Sequence, residues 1–224
     1  MLINKINYNS KKMNKIIIID YGCGNILSLR RGLEKVGYKS EISSDKKEIL
    51  NSNFLILPGV GSFNYAMNLL KEKNLIGTLN NYVKNKKKRI LGVCLGMQLF
   101  LTRSYEMGVH NGLNFINGEV IRINKDSKSK NLKVPHVSWN ETFIKEEIKD
   151  KKILDREVQN KDFYFIHSYM AVTEKKENTF AYCKYFDVNI PAIIKKDNII
   201  GCQFHPEKSG RNGLNFLKKI ISLG

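Results

Sequence analysis

The sequence predicts a doubly wound α/β fold, with a mostly parallel central sheet flanked by helices and a small antiparallel extension. Three observations support this fold class. In the first half, short runs rich in β-branched residues, typical of strands buried on both faces, alternate with helical patterns. The second half contains strand patterns with little helix between them. An amphipathic helical segment, 213–223, then closes the chain.

The first half alternates strand and helix. Residues 15–20 (KIIIID) form a continuous apolar run, which predicts a buried strand, and the glycine-rich turn YGCGN follows it. Apolar residues from Ile26 to Val36 recur at helical spacing, and Gly37 marks the end of that helix. The same patterns predict strands at 53–59 and 89–93 and helices at 63–72, 75–88 and 97–103.

The second half predicts a series of strands without an intervening linker, repeat or low-complexity segment. We therefore expect one domain over residues 14–224. The residues before it are polar and aperiodic, so 1–13 is expected to be a disordered extension. Met13 opens a segment typical of a protein start, so Met1 and Met13 both remain candidates for the true start. The predicted strands of this half are 119–123, 162–172, 178–186, 191–196 and 198–204.

Composition places the chain among globular proteins. Of its 224 residues, 42% are hydrophobic and 26% are charged, close to the averages for folded domains. The longest apolar runs are much shorter than the roughly 20 residues that a transmembrane helix requires. The first fifteen residues lack the apolar region of a secretory signal. We therefore expect a cytoplasmic protein that does not associate with a membrane.

The basic charge does not by itself predict a nucleic-acid partner. The 38 Lys and Arg residues against 21 Asp and Glu residues give a net charge of +17, which is compatible with nucleic-acid binding. The charge is scattered, however, and only residues 84–89 (KNKKKR) form a dense run. We therefore expect no specific nucleic-acid partner.

The four cysteines do not form a recognisable metal or disulfide pattern. None of Cys23, Cys94, Cys183 and Cys202 is paired as CxxC, so neither a zinc site nor a thioredoxin motif is indicated. Reduced thiols are expected. Interest therefore moves to single cysteines in a reactive setting.

Cys94 has such a setting. It lies in Gly-Val-Cys-Leu-Gly, residues 92–96, between a predicted buried strand and a helix. A nucleophile flanked by glycines at such a junction is typical of a nucleophile elbow, in which a tight turn lifts the side chain above the sheet edge. The start of the following helix favours the thiolate. A buried structural cysteine is the alternative.

His205 is the histidine best placed by sequence to serve as the acid–base partner. It ends the apolar segment 198–204, and Glu207 lies two residues further on. In an extended segment, residues two apart point to the same side, so Glu207 is expected to hold the imidazole. The other three histidines have no acidic residue two or three positions away, and each is expected to be a packed or interface residue.

A glycine-rich turn is the candidate oxyanion site. Residues 58–61 (Pro-Gly-Val-Gly) follow a predicted buried strand, so they are expected at the same sheet edge as Cys94. Glycines there let a backbone N–H approach a substrate oxygen, together with the N–H of Leu95. A simple turn is the alternative interpretation.

Three separated motifs carry a family resemblance. LPGVGSF (57–63), GVCLGMQLF (92–100) and CQFHPEKSG (202–210) together resemble the class I, or triad, glutamine amidotransferases. The resemblance covers about residues 14–223 and implies the flavodoxin-like fold of that class. Further segments narrow it to the glutaminase subunits of imidazole glycerol phosphate synthase: DYGCGN (20–25), PHVSWNE (135–141), FYFIHSY (163–169) and FHPEKSGRNG (204–213).

The resemblance implies a reaction and a set of roles. Cys94 attacks the side-chain amide of glutamine, His205 transfers the proton, Glu207 orients His205, and water hydrolyses the resulting thioester. Backbone and side-chain groups of seven residues bind the substrate or its oxyanion: Gly59, Gly61, Leu95, Gln98, Glu106, Ser168 and Tyr169. No metal or cofactor is implied.

The resemblance also implies a partner. Ammonia passes to a TIM-barrel cyclase subunit, which converts the nucleotide PRFAR to imidazole glycerol phosphate and AICAR. Asn25 and Trp139 are implied to face that subunit. The chain departs from the family pattern at Ser138, where glycine is usual, and at Tyr105 and Met107; none of these positions belongs to the triad.

Three alternatives remain open from the sequence. The same glutaminase chemistry serves amidination of bacterial surface sugars in paralogous subunits, and neighbouring coding sequences would distinguish the two pathways. A hydrolase of the same fold that needs no partner would show robust hydrolysis alone. A basic scaffold protein with an inactive site would show no glutamine turnover with any cyclase.

Overall fold

The computed structural model describes residues 15–124, 127–129, 131–148 and 153–223. The expected extension at 1–13 lies outside the described residues. The rest forms a nine-stranded mixed sheet, a separate four-stranded sheet, and helices on both faces of the larger sheet.

The larger sheet confirms the predicted α/β arrangement of parallel strands followed by an antiparallel extension, but the extension is not small, since four of the eight strand pairings are antiparallel. Its strand order is β2-β1-β3-β4-β13-β12-β11-β8-β9. The first five strands pair in parallel, and the last four continue antiparallel from β13. The bounds are β1 (Ile16–Ile19), β2 (Ser40–Ser43), β3 (Phe54–Leu57), β4 (Arg89–Val93), β8 (His136–Ile144), β9 (Lys161–His167), β11 (Thr179–Tyr185), β12 (Val188–Lys196) and β13 (Ile199–Cys202).

The smaller sheet, which the sequence did not predict, lies in the order β10-β7-β5-β6. Its strands are β5 (Arg103–Ser104), β6 (His110–Asn111), β7 (Gly118–Arg122) and β10 (Tyr169–Thr173). The helices are α1 (Ile26–Lys35), α2 (Lys46–Asn51), α3 (Phe63–Glu72), α4 (Ile76–Lys84), α5 (Leu95–Gln98), α6 (Asp155–Val158) and α7 (Gly210–Ser222), with 3₁₀ turns at Lys176–Asn178 and Pro206–Lys208.

The hydrophobic core lies in two clusters on opposite faces of the larger sheet. Alternate residues of β1 divide between them, because successive side chains of a strand point to opposite faces. Leu33 of α1 and Leu217 of α7 belong to one cluster, and Leu70 of α3 and Leu79 of α4 belong to the other. This two-sided burial explains why β1, β3 and most of β4 are apolar, whereas the parallel edge strand β2 is polar and only partly buried. Within the described residues, no helix has the length and apolarity to cross a membrane.

The predicted strand at 162–172 is wrong as a single element. The chain bends at Ser168, and the two parts, β9 and β10, join different sheets. The His167 side chain contacts the backbone two residues later, at the carbonyl oxygen of Tyr169 (2.8 Å), and the Ser168 carbonyl accepts from Ile123 N–H (3.1 Å). The break therefore directs Ser168 into a loop at the sheet edge.

The predicted helix at 97–103 is also wrong in extent, since α5 ends at Gln98. The carbonyl groups that follow do not continue the helical ladder. The carbonyls of residues 99–102 accept instead from the N–H groups of residues 112–116, and Arg103 begins β5. This tertiary pairing ends the helix although the local sequence favours it.

The sequence patterns also failed to predict α2. Its start carries a recognisable signal, because the Asp45 side chain accepts a hydrogen bond from Glu48 N–H (2.8 Å). An acidic or hydroxyl residue followed three positions later by Glu is typical of a helix N-terminus.

Candidate active site

Cys94 lies in a strained turn between β4 and α5. Its φ is +54°, which L-residues other than glycine adopt rarely and at a cost of order 1–3 kcal/mol. Only glycine fits two positions before Cys94 and two positions after it. A Cβ on Gly92 would lie 2.6 Å from the Gly96 carbonyl oxygen, and a Cβ on Gly96 would overlap the Leu57 carbonyl oxygen. The turn therefore has the geometry of a nucleophile elbow.

The helix after Cys94 is shorter than the sequence suggests. Because α5 spans a single turn, its dipole stabilises a thiolate less than a long helix would. The thiol also contacts the backbone carbonyl of Ile166 (3.9 Å) and the side-chain nitrogen of Gln203 (3.7 Å). The imidazole of His205 lies close enough to Cys94 for this residue to contribute to the raised pKa of His205.

His205 is held between Cys94 and Glu207. Its Nδ1 lies 2.8 Å from Oε1 of Glu207, and both side chains are almost completely buried. The local geometry differs from the extended segment that we expected, because Pro206 begins a 3₁₀ turn that places Glu207 beside the imidazole. The second carboxylate oxygen, Oε2, is buried and accepts no hydrogen bond from the described residues. Among the described residues, His205 is therefore the hydrogen-bonding partner of the Glu207 carboxylate.

The surroundings of His205 favour its protonated form. Burial by itself lowers the pKa of His205, but its interactions with Cys94 and with Glu207 more than offset this effect. The pKa of His205 is raised to about 10. An imidazolium between a sulfur and a carboxylate is the arrangement that a Cys-His-Glu triad requires.

A cavity of about 280 Å³ opens in front of the Cys94 sulfur. It has the volume expected for a small-molecule ligand. The lining brings together side chains and backbone from both sheets and from the loop after β3: Val60, Gly61, Cys94, Leu95, Gln98, Glu106, Ile166, His167, Ser168, Tyr169, His205 and Lys208.

Hydrogen bonds fix two of the polar side chains in the lining. Gln98 donates through Nε2 to the Tyr169 carbonyl oxygen and to Oε1 of Gln203, both at 2.9 Å. Glu106 accepts from the N–H of Phe63, the first residue of α3, at 2.7 Å. Both side chains are thus positioned before any ligand binds.

The loop 58–61 lies against the elbow. A Cβ on Gly59 would be 2.6 Å from the Gly96 nitrogen, so glycine lets the loop approach the backbone that follows Cys94. Hydrogen bonds from the β1–α1 turn hold the loop: the Tyr21 hydroxyl donates to the Pro58 carbonyl at 2.7 Å, and the Cys23 thiol donates to the Val60 carbonyl. The backbone N–H groups of this loop and of Leu95 thus lie near one another beside the cavity.

Sequence comparison agrees with this geometry. A family model described as glutamine amidotransferase class-I matches residues 17–221, which is nearly the whole described chain. The chain belongs to the class I glutamine amidotransferases. It is therefore an enzyme of the class that takes nitrogen from glutamine.

Close relatives of this amidotransferase carry one name. "Imidazole glycerol phosphate synthase subunit HisH" from Caldanaerobacter subterraneus is 44% identical over 91% of this chain and 95% of the relative. Subunit HisH 2 from Methanococcus maripaludis is 42% identical, covering 92% and 98%. Subunit HisH 1 from Campylobacter jejuni is 44% identical, covering 93% and 100%.

Solved structures agree on the fold of the amidotransferase. A putative GMP synthase subunit from Thermoplasma acidophilum aligns with a TM-score of 0.64 and 18% identity, covering 93% of this chain and 92% of that one. The PurLQS structure from Thermotoga maritima aligns with a TM-score of 0.65 and 16% identity, covering 94% and 99%. At these identities, the likeness shows the fold alone.

Four residues that the sequence placed in the functional site lie outside the cavity lining. Gly59 lies behind the loop, against the elbow, and Glu207 lies behind His205. Asn25 immediately precedes α1 and is half-buried. Trp139 is 54% exposed on β8. The last two therefore stand on the surface of the amidotransferase, where an interface role remains a prediction.

Sequence reasoning missed four residues of the lining: Val60, Ile166, His167 and Lys208. Val60, His167 and Lys208 each lie next to a predicted site residue, so inclusion of chain neighbours would have found these three, whereas Ile166 lies two residues before Ser168. We expected His167 to be a packed or interface residue, yet it forms part of the cavity wall. Among the described residues, no group of three or more His, Cys, Asp or Glu is arranged to hold a metal ion.

The Glu207→Gln substitution is expected to change how stability depends on pH. The folded-state pKa of His205, about 10, lies above its ordinary value of 6.5. Protonated His205 therefore contributes stability that is fully present below about pH 6.5 and is lost as pH rises through about 10. The variant should be destabilised more at pH 6 than at pH 10, as measured by urea unfolding.

The exposed Glu141→Gln variant on β8 is the control, since it removes one carboxylate without altering the triad. A Glu207→Gln deficit of equal size at both pH values would contradict an ion pair between Glu207 and His205.

Proposed function

We propose that this protein is the glutaminase subunit of an imidazole glycerol phosphate synthase, which supplies ammonia to a cyclase subunit in histidine biosynthesis. The observation that carries the chemistry is the position of His205, which lines the same cavity as Cys94 and lies 2.8 Å from Glu207. Relatives that are 42–44% identical over nearly their full length, all named as that subunit, support the assignment.

In the proposed mechanism, the Cys94 sulfur attacks the side-chain amide carbon of glutamine while His205 carries the proton taken from the thiol. The oxyanion that forms accepts hydrogen bonds from the N–H of Leu95 and from the loop containing Gly59 and Gly61. His205 then protonates the departing nitrogen, and ammonia leaves a glutamyl thioester on Cys94.

Hydrolysis of the thioester completes the cycle. His205, now neutral, takes a proton from a water molecule, and the resulting hydroxide attacks the thioester carbon. The carbon–sulfur bond breaks, glutamate leaves, and the proton returns to the pair of Cys94 and His205. Glu207 holds the imidazole in position and stabilises its charge throughout.

Four side chains or backbone segments are suited to hold the glutamine. Glu106 is the carboxylate in the lining, and it suits the substrate's ammonium group. Gln98, Ser168 and Tyr169 supply polar groups on the opposite wall. These roles follow from position in the cavity and from chemical complementarity.

An exposed apolar face beside the cavity is the proposed docking site for the cyclase. Trp139 and Val137 on β8 and Ile166 on β9 point outward from adjacent strands, with exposures of 54%, 49% and 42%. Ile166 also lines the cavity. A partner seated here would cover apolar surface and close the route by which ammonia leaves toward bulk water, as a TIM-barrel cyclase subunit in a heterodimer would do.

The Trp139→Ala substitution is expected to weaken assembly rather than folding. A core tryptophan replaced by alanine costs about 3–5 kcal/mol, but Trp139 is more than half exposed. An interface hot spot costs at least about 2 kcal/mol, or roughly 30-fold in Kd. Thermal melting of the isolated chain measures the first quantity, and titration calorimetry with the cyclase measures the second.

The Tyr65→Ala variant is the control, since Tyr65 is 57% exposed on α3, away from the β8–β9 face. A large melting shift in Trp139→Ala with unchanged affinity would contradict the interface role.

Co-purification with a candidate cyclase tests the function. The complex should release glutamate from glutamine, and PRFAR bound to the cyclase should accelerate this release and yield imidazole glycerol phosphate. Activation only by a partner that amidinates a surface sugar would contradict the pathway but not the glutaminase chemistry. No glutamate release with any cyclase would contradict both.

A further inference from the structure

Two histidines that the proposed mechanism does not use lie side by side at the cavity wall. His136 of β8 is fully buried, and His167, the last residue of β9, is 7% exposed and lines the cavity. The two residues are directly opposite each other in the β8–β9 register. His136 Nδ1 lies 3.0 Å from His167 Nε2, which is hydrogen-bond distance.

Hydrogen-bond acceptors hold both ends of this pair. His167 Nδ1 lies 2.8 Å from the carbonyl oxygen of Tyr169, and His136 Nε2 lies 2.8 Å from Oδ1 of Asn140. The Asn140 amide is fixed in this orientation because its Nδ2 donates to the Lys184 carbonyl at 3.1 Å. A flipped amide would bring two carbonyl oxygens together.

The two histidines, when neutral, therefore carry one proton fewer than the hydrogen bonds of this network require. The network consists of three contacts and has an oxygen acceptor at each end, so three imidazole protons are needed to make every contact a hydrogen bond. Two neutral imidazoles carry only two protons. Burial, and then the neighbouring His136, lower the pKa of His167 to about 3, and burial also lowers the pKa of His136. The pair is thus neutral near pH 7, and one of the three contacts is left without a proton.

The contact without a proton costs the least free energy when it is the one between His136 and Asn140. If neither His136 Nδ1 nor His167 Nε2 carried a proton, the two nitrogens would face each other without a hydrogen bond. If His167 Nδ1 carried no proton, it would face the Tyr169 carbonyl oxygen in the same way. Either state would leave unpaired polar atoms in the buried interior. Asn140 is half-buried, and its Oδ1 also accepts a hydrogen bond from the Ser138 hydroxyl, so this oxygen keeps a partner when His136 Nε2 carries no proton. His136 then donates from Nδ1 to His167 Nε2, which obliges His167 to donate from Nδ1 to the Tyr169 carbonyl.

The Tyr169 carbonyl connects the pair to the nucleophile. It accepts hydrogen bonds from both His167 Nδ1 and Gln98 Nε2. Gln98 Nε2 also donates to Oε1 of Gln203 at 2.9 Å, and Gln203 Nε2 lies 3.7 Å from the Cys94 sulfur. A continuous series of polar contacts thus runs from β8 to the reacting thiol.

We propose that His136 is a positioning residue for the glutaminase reaction. Its Nδ1–H fixes the tautomer of His167, and His167 in turn holds the Tyr169 carbonyl that orients Gln98 beside the substrate. This inference rests on the proposed function, because it concerns how the same cavity is held for glutamine. His136 itself touches neither the substrate nor Cys94, so its effect is indirect.

The remaining neighbours of the pair do not supply the missing proton. The rings of Phe165 and Tyr185 pack on His136, and the Tyr185 hydroxyl donates to the Lys133 carbonyl. The titratable or charged groups that line the cavity with His167 are Cys94, Glu106, Tyr169, His205 and Lys208. Of these, the charge on His205 further disfavours protonation of His167.

A matched pair of variants tests the proposal: His136→Asn and His136→Leu have nearly the same shape and leave the same cavity. Only Asn keeps an N–H donor near the position of Nδ1. In the complex with the cyclase, the KM for glutamine should be about 2- to 10-fold higher in His136→Leu than in His136→Asn, the range of one net hydrogen bond, with a smaller change in kcat. Equal KM values in two folded variants would overturn the proposal.

Nitrogen-15 NMR of histidine-labelled protein reads the tautomers directly. His167 should carry its proton on Nδ1 in the wild type and in His136→Asn, with a bare, hydrogen-bonded Nε2. His136→Leu should lose that hydrogen bond to Nε2. A wild-type His167 protonated at Nε2 would overturn the proposal, whatever the kinetics.

Asn140→Asp provides a second arm that does not alter the buried histidines. A carboxylate at this end stabilises the protonated pair, so its titration should move up by about 1–3 pH units, and the pH dependence of the KM for glutamine should move with it. Glu141→Gln, the neighbouring exposed residue, should move neither. If the titration of the histidine pair is unchanged in Asn140→Asp, the conclusion that the network lacks one proton is contradicted.

The outcomes separate this proposal from the proposed function. If the wild-type complex releases no glutamate, the glutaminase assignment fails, and the NMR tautomers and the Asn140→Asp titration still decide the state of the pair. If glutamate is released normally but the two His136 variants behave alike, the positioning role fails and the function stands.

Discussion

Cys94→Ser is expected to lower glutamine hydrolysis by the complex at least about 10⁴-fold, the scale on which loss of a triad nucleophile acts. The strained turn places this one side chain at the cavity beside His205, and a serine hydroxyl there is a weaker nucleophile with a higher pKa than a thiol. Synthesis from added ammonium salts should persist, because the proposed function assigns the acceptor chemistry to the cyclase subunit. Glutamate release and product formation are measured separately.

Cys183→Ser is the matched control. Cys183 lies in the core of the larger sheet, and burial raises its pKa to about 12, so it has no role as a thiolate. This variant should keep glutamine hydrolysis. Loss of both glutamine- and ammonia-dependent synthesis in an intact Cys94→Ser complex would contradict the division of labour proposed for the two subunits.

Gly96→Ala is expected to destabilise the protein by more than about 3 kcal/mol, because its methyl group would occupy the space of the Leu57 carbonyl oxygen. Backbone atoms of β3 supply that contact, and they cannot rotate away as a side chain can. Separation of β3 from α5 would also displace the loop 58–61. Chemical denaturation should show the loss of stability, and glutaminase activity should fall with it.

Gly77→Ala is the matched control in α4, where a methyl group would meet nothing within 4 Å. Alanine in a helix gains up to about 1 kcal/mol over glycine. The two substitutions add the same group, and only their surroundings differ. Comparable stability of the two variants would show that the close contact at Gly96 is not rigid.

The central fold could be predicted because local pattern and tertiary role agree there. The strands β1 and β3 are short and entirely apolar, and β4 is apolar after its first residue, Arg89. Burial on both faces is the reason for that composition. The elbow and His205 with Glu207 were also visible, because glycines and short spacings specify them locally. These elements need no information from distant parts of the chain.

The smaller sheet could not be predicted, because its strands depend on distant partners. The helix after Cys94 stops where the carbonyls of residues 99–102 meet the N–H groups of 112–116, and no pattern near Gln98 announces this. The break at Ser168 likewise depends on distant partners, because β9 before it and β10 after it pair with strands of different sheets. The pair of His136 and His167 escaped notice for the same reason, since only the β8–β9 register brings them together.

The pairing of β4 with β13 has a consequence for how the enzyme is made. Cys94 follows β4 and His205 follows β13, neighbours in parallel register with Val93 opposite Cys202. The gap between nucleophile and base is thus fixed by the spacing of adjacent strands, about 4.8 Å, rather than by a loop. Since β13 comes long after β4 in the chain, a nascent chain holds its cysteine without a base until β13 and His205 have been synthesised. Premature termination before residue 199 therefore yields a chain that cannot waste glutamine.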